Sequence, residues 1–215
     1  MNLFWRLNKK TKDFCARVYR KKICENMRSR LRNREFSIIS SNCIGGILSH
    51  DLGIQFASPT INLFFTAGDF VKFASDLRRY TSIIPELDEE QTKAKGYPVA
   101  FLDDIRLYAV HYHDLEELRQ AWKRRSDRIH WDNLFLIMTD RNGMTDEDLR
   151  IFSRLPWPKV LFSAKEHPEY DFVVPVEECR DGEQVGQLQF YADYRGHRYY
   201  EKYFDFIGWL NNETV

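Results

Sequence analysis

Leu134-Phe135-Leu136-Ile137-Met138 leaves no residue in its run that could face water. A short, unbroken apolar strand of this kind fits a sheet that is covered on both faces. A second short strand, Phe36-Ser37-Ile38-Ile39-Ser40, is bounded by turn formers. Between such strands lie capped helices. Asp114-Leu115-Glu116-Glu117 opens one that runs to about Arg128, and Thr145-Asp146-Glu147-Asp148 opens another that runs to about Leu155. Strands in alternation with capped helices predict an α/β domain: a mostly parallel sheet with helices on both faces, a Rossmann-like three-layer arrangement.

Further elements follow from local pattern. Ile44–Leu52 reads as a helix closed by Gly53, and Ile61–Phe65 as a strand. Gly68–Tyr80 reads as one amphipathic helix, and residues 85–96 as a polar loop or frayed turn. Residues 97–102 and 105–112 read as strands around Asp103-Asp104, a tight hairpin that would add an antiparallel strand to the sheet. Lys159–Ser163 and Phe172–Val176 complete the strands, and an aromatic helix or turn over Tyr203–Leu210 closes the chain.

Charge divides the chain more sharply than composition does. Residues 1–34 hold twelve Lys or Arg against Asp13 and Glu25, a net +10, so in a neutral chain the remainder carries −10. The predicted organisation is therefore a basic amphipathic helical arm, 1–34, on an α/β domain, 35–215. Three readings of the arm compete: a helix packed on the acidic body with solvated charges, a Trp/Phe-tipped helix lying on an anionic membrane surface, and a nucleic-acid contact. No nucleic-acid-binding motif accompanies the charge, so nucleic acid is the least favoured. Lys and Arg break up every apolar stretch before residue 36, and no apolar run approaches the roughly 20 residues of a membrane helix. The expected location is the cytoplasm. Cys15, Cys24, Cys43 and Cys179 form no CxxC pair, so neither a metal site nor a disulfide framework is predicted.

Ligands of open α/β sheets bind beyond the carboxyl ends of the strands. The first strand leads into Asn42-Cys43-Ile44-Gly45-Gly46. Cys43 falls at a strand-to-helix turn, where free N–H groups and the helix dipole favour a thiolate, a phosphate or an oxyanion. It is a candidate nucleophile, or else a small buried apolar residue. Gly45 and Gly46 would let a ligand approach the backbone closely. His50 follows Cys43 by seven residues, about 10 Å along a continuous helix, so a base for the thiol would come more readily from His111 or His113. His50-Asp51 could orient a substrate or cap the helix end. Ser58 and Thr60, on either side of Pro59, could line the same cleft, as could Asp140 after the apolar strand.

The stretches NCIGGILSHDLG, FASPTINLFF, DFVKFASDL and YPVAFLDDIRLYAVHY resemble a bacterial family, the domain of unknown function 1919. The resemblance runs from about residue 36 onward. It rests on Asn42, Cys43, Gly45, Gly46, Leu52, Gly53, Ser58, Pro59, Leu63, Asp69 and Phe70. It implies an α/β fold and a place in exopolysaccharide or capsule biosynthesis. The Asn-Cys element is also similar to that of capsule acetyltransferases that bind coenzyme A, although Ile44 stands where their pattern has Gln and they lack the Gly-Gly pair.

These readings predict an enzyme that transfers an acyl group, with coenzyme A as the implied cofactor, to a sugar or lipid-linked sugar precursor. Asn42, Cys43, Gly45 and Gly46 would form the anion site, and His50, His111 or His113 would act as base. The arm would hold the protein at the inner membrane face. The alternative is a non-catalytic module that binds a sugar or nucleotide-sugar in the same cleft.

Overall fold

A computed structural model describes residues 3–212, with the backbone alone for residues 3–10. In chain order the elements are α1 (Leu3–Arg30), β1 (Ser37–Ser40), α2 (Ile44–Leu52), α3 (Ala67–Ser75), α4 (Leu77–Ser82), β2 (Glu86–Leu87), α5 (Glu89–Lys95), β3 (Val99–Leu102), β4 (Ile105–Tyr108), α6 (Leu115–Ser126), β5 (Leu134–Thr139), α7 (Asp146–Ser153), β6 (Lys159–Ser163), β7 (Val173–Pro175) and α8 (Phe206–Leu210). The chain is α/β. It forms two compact units, one of Met1–Arg34, His50–Ile54 and Gln187–Val215, the other of Glu35–Ser49 and Gln55–Gly186.

The second unit is built on a parallel four-stranded sheet in the order β1-β5-β6-β7. All six residues of β5 are buried, as the apolar run requires. α6 starts on the side chain of Asp114, which accepts from the Glu117 amide. α7 starts on the reciprocal Thr145–Asp148 capping box. Gly53, at φ +67, follows the end of α2, where a left-handed residue is needed.

Several local expectations fail for identifiable reasons. Ile61–Phe65 is not a strand. Asn62 turns left-handed at φ +66, the Phe65 amide donates to the Ser41 carbonyl, and Phe64 makes an isolated bridge to Tyr108. The helix over 68–80 is two helices, because Asp76 leaves helical geometry and caps the second by accepting from the Arg79 amide. Residues 85–96 are ordered as β2 and α5. Asp88 caps α5, Gly96 closes it at φ +76, and none of its residues is buried, so no apolar period marked it. The hairpin forms around Asp103, at φ +59. It adds nothing to the parallel sheet, however: β2-β3-β4 is a separate antiparallel sheet. β4 also ends at Tyr108, so His111 and His113 lie beyond it in turns.

In the first unit α1 is one helix, and the Phe4 and Trp5 side chains that tipped the predicted arm lie outside the described residues. Its buried positions Ala16, Cys24 and Met27 recur on one helical face, which Leu31 extends just past its end. That face packs on the 187–212 segment. Gly196 is required there: at φ +87 its missing Cβ would stand 2.5 Å from the Ala16 carbonyl oxygen. The Asn33 side chain donates to the Leu210 carbonyl at 2.8 Å, close to where Phe204, Phe206 and Trp209 meet edge to face.

Candidate functional site

The order β1-β5-β6-β7 runs in one direction, so no reversal of strand order selects a crevice among the described residues. The carboxyl ends of β1, β5 and β6 nonetheless bring several of the singled-out residues together. Asn42 Nδ2 donates to Thr139 Oγ1 at 3.0 Å, and Asn42 Oδ1 accepts from the Ile44 amide at 3.0 Å. The Cys43 carbonyl accepts from the Ile47 amide, which makes Cys43 the residue that caps α2. Ser41 Oγ accepts from the Thr139 amide at 3.3 Å.

Two predicted ligand groups are committed to the protein itself. Thr60 Oγ1 accepts from the Ser40 amide and shares a 3.0 Å hydrogen bond with Ser58 Oγ, and both residues are buried. Asp140 accepts from Ala164 N and Val185 N, each at 2.7 Å, and from Ser163 Oγ at 3.2 Å. It ties the ends of β5 and β6 to residue 185. A carboxylate with these three donors is a structural latch.

The glycines also face protein. A Cβ on Gly45 would sit 2.8 Å from Ser40 Cβ and 2.9 Å from Ile38 Cγ2, and one on Gly46 would sit 3.3 Å from Ile61 Cγ2. Glycine is therefore needed for α2 to lie against β1 and Ile61, which differs from the ligand contact expected. The consequence for the site is indirect. Close packing carries the N-terminus of α2 to the carboxyl end of β1. There the amides of Cys43, Gly45 and Gly46 have no partner among the described hydrogen bonds.

Cys43 is half-buried. Burial pushes its thiol up, and the charge of Arg141, next after Asp140, pulls it partly back. No histidine contributes to that balance. His111 is exposed, and so is His113, whose Nδ1 faces Asp114 Oδ2 at 3.1 Å. With its pKa raised, Cys43 is a thiol rather than a thiolate at neutral pH, and the charge of Arg141 is the one that draws it back.

His50 and Asp51 belong to the first unit. His50 is exposed, and Asp51 is the centre of a buried ion network that local sequence pattern does not predict. Arg20 Nη2 donates to Asp51 Oδ2 at 2.7 Å and Arg198 Nε donates to the same oxygen at 2.8 Å. Arg20 also grips Glu201 through both terminal nitrogens, at 2.6 and 2.8 Å. Burial opposes ionisation of Asp51, but the hydrogen bonds and charges of Arg198 and Arg20 outweigh it, so its carboxyl lies below the ordinary range. The Tyr200 hydroxyl beside this network is fully buried and has no partner among the described residues. Asp51 is thus a structural carboxylate. Its partners lie 31 and 147 residues away, beyond the reach of any local motif.

Cys15, Cys24, Cys43 and Cys179 are free thiols. Among the described residues no group of three or more His, Cys, Asp or Glu is placed to share a metal ion, and no helix is long and apolar enough to cross a membrane.

Residues 14–211 match the family described as Domain of unknown function (DUF1919). The chain belongs to that family. It is also similar to an uncharacterized protein of Haemophilus influenzae strain Rd, at 33% identity over 207 residues that cover 96% of this chain and 95% of the other. The matched span includes both the turn after β1 and the ion network of the first unit.

Proposed function

We propose that this member of the family serves surface-polysaccharide biosynthesis by holding the anionic part of a sugar precursor, such as the diphosphate of a nucleotide-sugar, at the Asn42–Gly46 turn. The supporting observation is the unpartnered amides of Cys43, Gly45 and Gly46 at the start of α2, in a place where the Arg141 charge is also felt. Such donors suit phosphate oxygens. The pathway comes from the family resemblance, and the turn supplies the chemistry. The Rossmann-like three-layer arrangement belongs to the same reading: full burial of β5 calls for cover on both faces of its sheet.

Acyl transfer from coenzyme A is the second reading. Its support is a free cysteine at a helix cap, where an acyl thioester could form. The burial-raised thiol, with no histidine among the groups that shift it, weighs toward binding instead.

Native mass spectrometry with UDP-glucose and with acetyl-CoA separates the two. The binding reading expects a non-covalent UDP-glucose complex that survives Cys43→Ser and is lost in Arg141→Glu. An acetyl mass on Cys43 that disappears in Cys43→Ser would favour acyl transfer. A folded protein that retains neither ligand would overturn both.

A further inference from the structure

The first unit contains a cavity of about 790 Å³ whose chemistry is independent of the turn after β1. One part of its lining is apolar: Ile23, Met27, Phe204, Phe206 and Ile207. Another part is basic. Of the four basic side chains there, Arg30 is paired with Asp205 at 3.1 Å and His197 with Asp193 at 2.8 Å. Lys22 and Arg195, both exposed, have no acidic partner among the described residues. The one carboxylate in the lining, Glu201, is already neutralised by Arg20. The cavity thus offers two uncompensated cations next to an apolar wall.

The helix surface beside it continues the apolar character outward. Phe14, Val18 and Tyr19 of α1 are 70%, 61% and 57% exposed. Phe14 and Val18 are one turn apart, and Val18 is one turn before Lys22, so the three side chains form a strip along one side of the helix. Tyr19 lines the cavity itself. Exposed Arg17 and Lys21 flank the strip. Large exposed apolar side chains among basic ones mark an amphiphilic anionic surface rather than plain solvent.

We propose that this cavity binds a phosphorylated amphiphile taken from a membrane leaflet, with its phosphate held by Lys22 and Arg195 and its first carbons against Ile23 and Phe204. The strip of Phe14 and Val18 meets the bilayer from which it comes. Two cations match the charge of a phosphomonoester, and the apolar wall distinguishes it from a free anion. The inference stands on the first unit alone and holds whether or not the Asn42–Gly46 turn binds a sugar.

The test compares dodecyl phosphate, inorganic phosphate and two kinds of vesicle, phosphatidylcholine alone and phosphatidylcholine with phosphatidic acid. Calorimetry should show dodecyl phosphate binding at least about tenfold more tightly than inorganic phosphate, and Lys22→Gln and Arg195→Gln should each weaken it by about tenfold. The protein should float with the phosphatidic acid vesicles and not with the neutral ones. Phe14→Ser with Val18→Ser should reduce flotation and leave dodecyl phosphate affinity unchanged. Dodecyl phosphate binding no tighter than inorganic phosphate, or indifferent to Lys22 and Arg195, would overturn the site. Dodecyl phosphate binding without flotation would overturn the membrane as its source. All four positions are exposed, so the variants should fold.

Discussion

Gly45→Ala and Gly46→Ala are chemically the same change one residue apart, and the structure predicts different outcomes. Within a helix alanine is favoured over glycine by up to about 1 kcal/mol, and the gain is smaller in the first turn, where both glycines stand. Space decides whether that gain survives. At Gly45 the added methyl would lie 2.8 Å from Ser40 Cβ, an atom fixed to the backbone of β1, and 2.9 Å from Ile38 Cγ2 in the same buried strand. Neither can swing aside, so α2 must lift off β1. Overpacking of this kind costs about 1–3 kcal/mol, and a propensity gain of at most about 1 kcal/mol leaves a net loss of up to about 2–3 kcal/mol, larger than at Gly46. At Gly46 the nearest atoms are the Ile61 methyl carbons, at 3.3 and 3.4 Å, which can give by a few tenths of an ångström. Gly46→Ala should stay within about 1 kcal/mol of the parent, since a small clash and a small gain oppose each other. Native-state hydrogen exchange at the amides of β1 and β5 reads the second unit directly. Equal effects at the two positions, or a greater loss at Gly46, would refute the claim that the glycines serve helix–strand packing.

Three further perturbations follow. Asp51→Asn leaves Arg20 paired with Glu201 but deprives half-buried Arg198 of its charge partner, so a loss of about 2–3 kcal/mol, at or just below the range for a broken buried pair, is expected at neutral pH. Because the folded carboxyl is depressed, the gap between parent and variant in urea unfolding should be full above the ordinary carboxylate pKa of about 4 and should close as pH falls below it; a gap that widens on acidification contradicts the network. Tyr200→Phe removes a buried hydroxyl that has no partner among the described residues, so stability should hold or rise by up to about 1 kcal/mol, and a loss beyond that in thermal melts would reveal an unseen partner. The Cys43 thiol, pushed up by burial, should react with iodoacetamide at neutral pH more slowly than glutathione, and faster reaction would argue for an activated nucleophile.

What could be read in the sequence was what neighbouring residues decide. The apolar run of β5, the Thr145 and Asp114 caps, the Asp103 turn and the left-handed Gly53 each depend on contacts within a few positions, and each is found. The errors arise where a distant partner overrides local pattern. Ile61–Phe65 has strand composition, yet its pairing groups are taken by Ser41 and Tyr108. α5 buries nothing, so its capping residues carried the only information. Asp76 reads as one polar position in an amphipathic helix until its carboxylate is seen to cap the next one. At the candidate site, the cysteine, the asparagine and the glycines were conspicuous, but their roles were not. Gly45 is explained by Ser40 and Ile38, and Asp140 by three donors from other segments. The ion network of Arg20, Asp51, Arg198 and Glu201 is assembled from both ends of the chain, which no local period or motif can register.

The most direct test of the central claim is to follow the amide resonances of isotope-labelled protein as UDP-glucose is added. The account predicts that Gly45 and Gly46 are among the largest shifts, with Arg141 moving alongside them. Saturable shifts confined to residues away from the Asn42–Gly46 turn, or none at all in the folded protein, would contradict it.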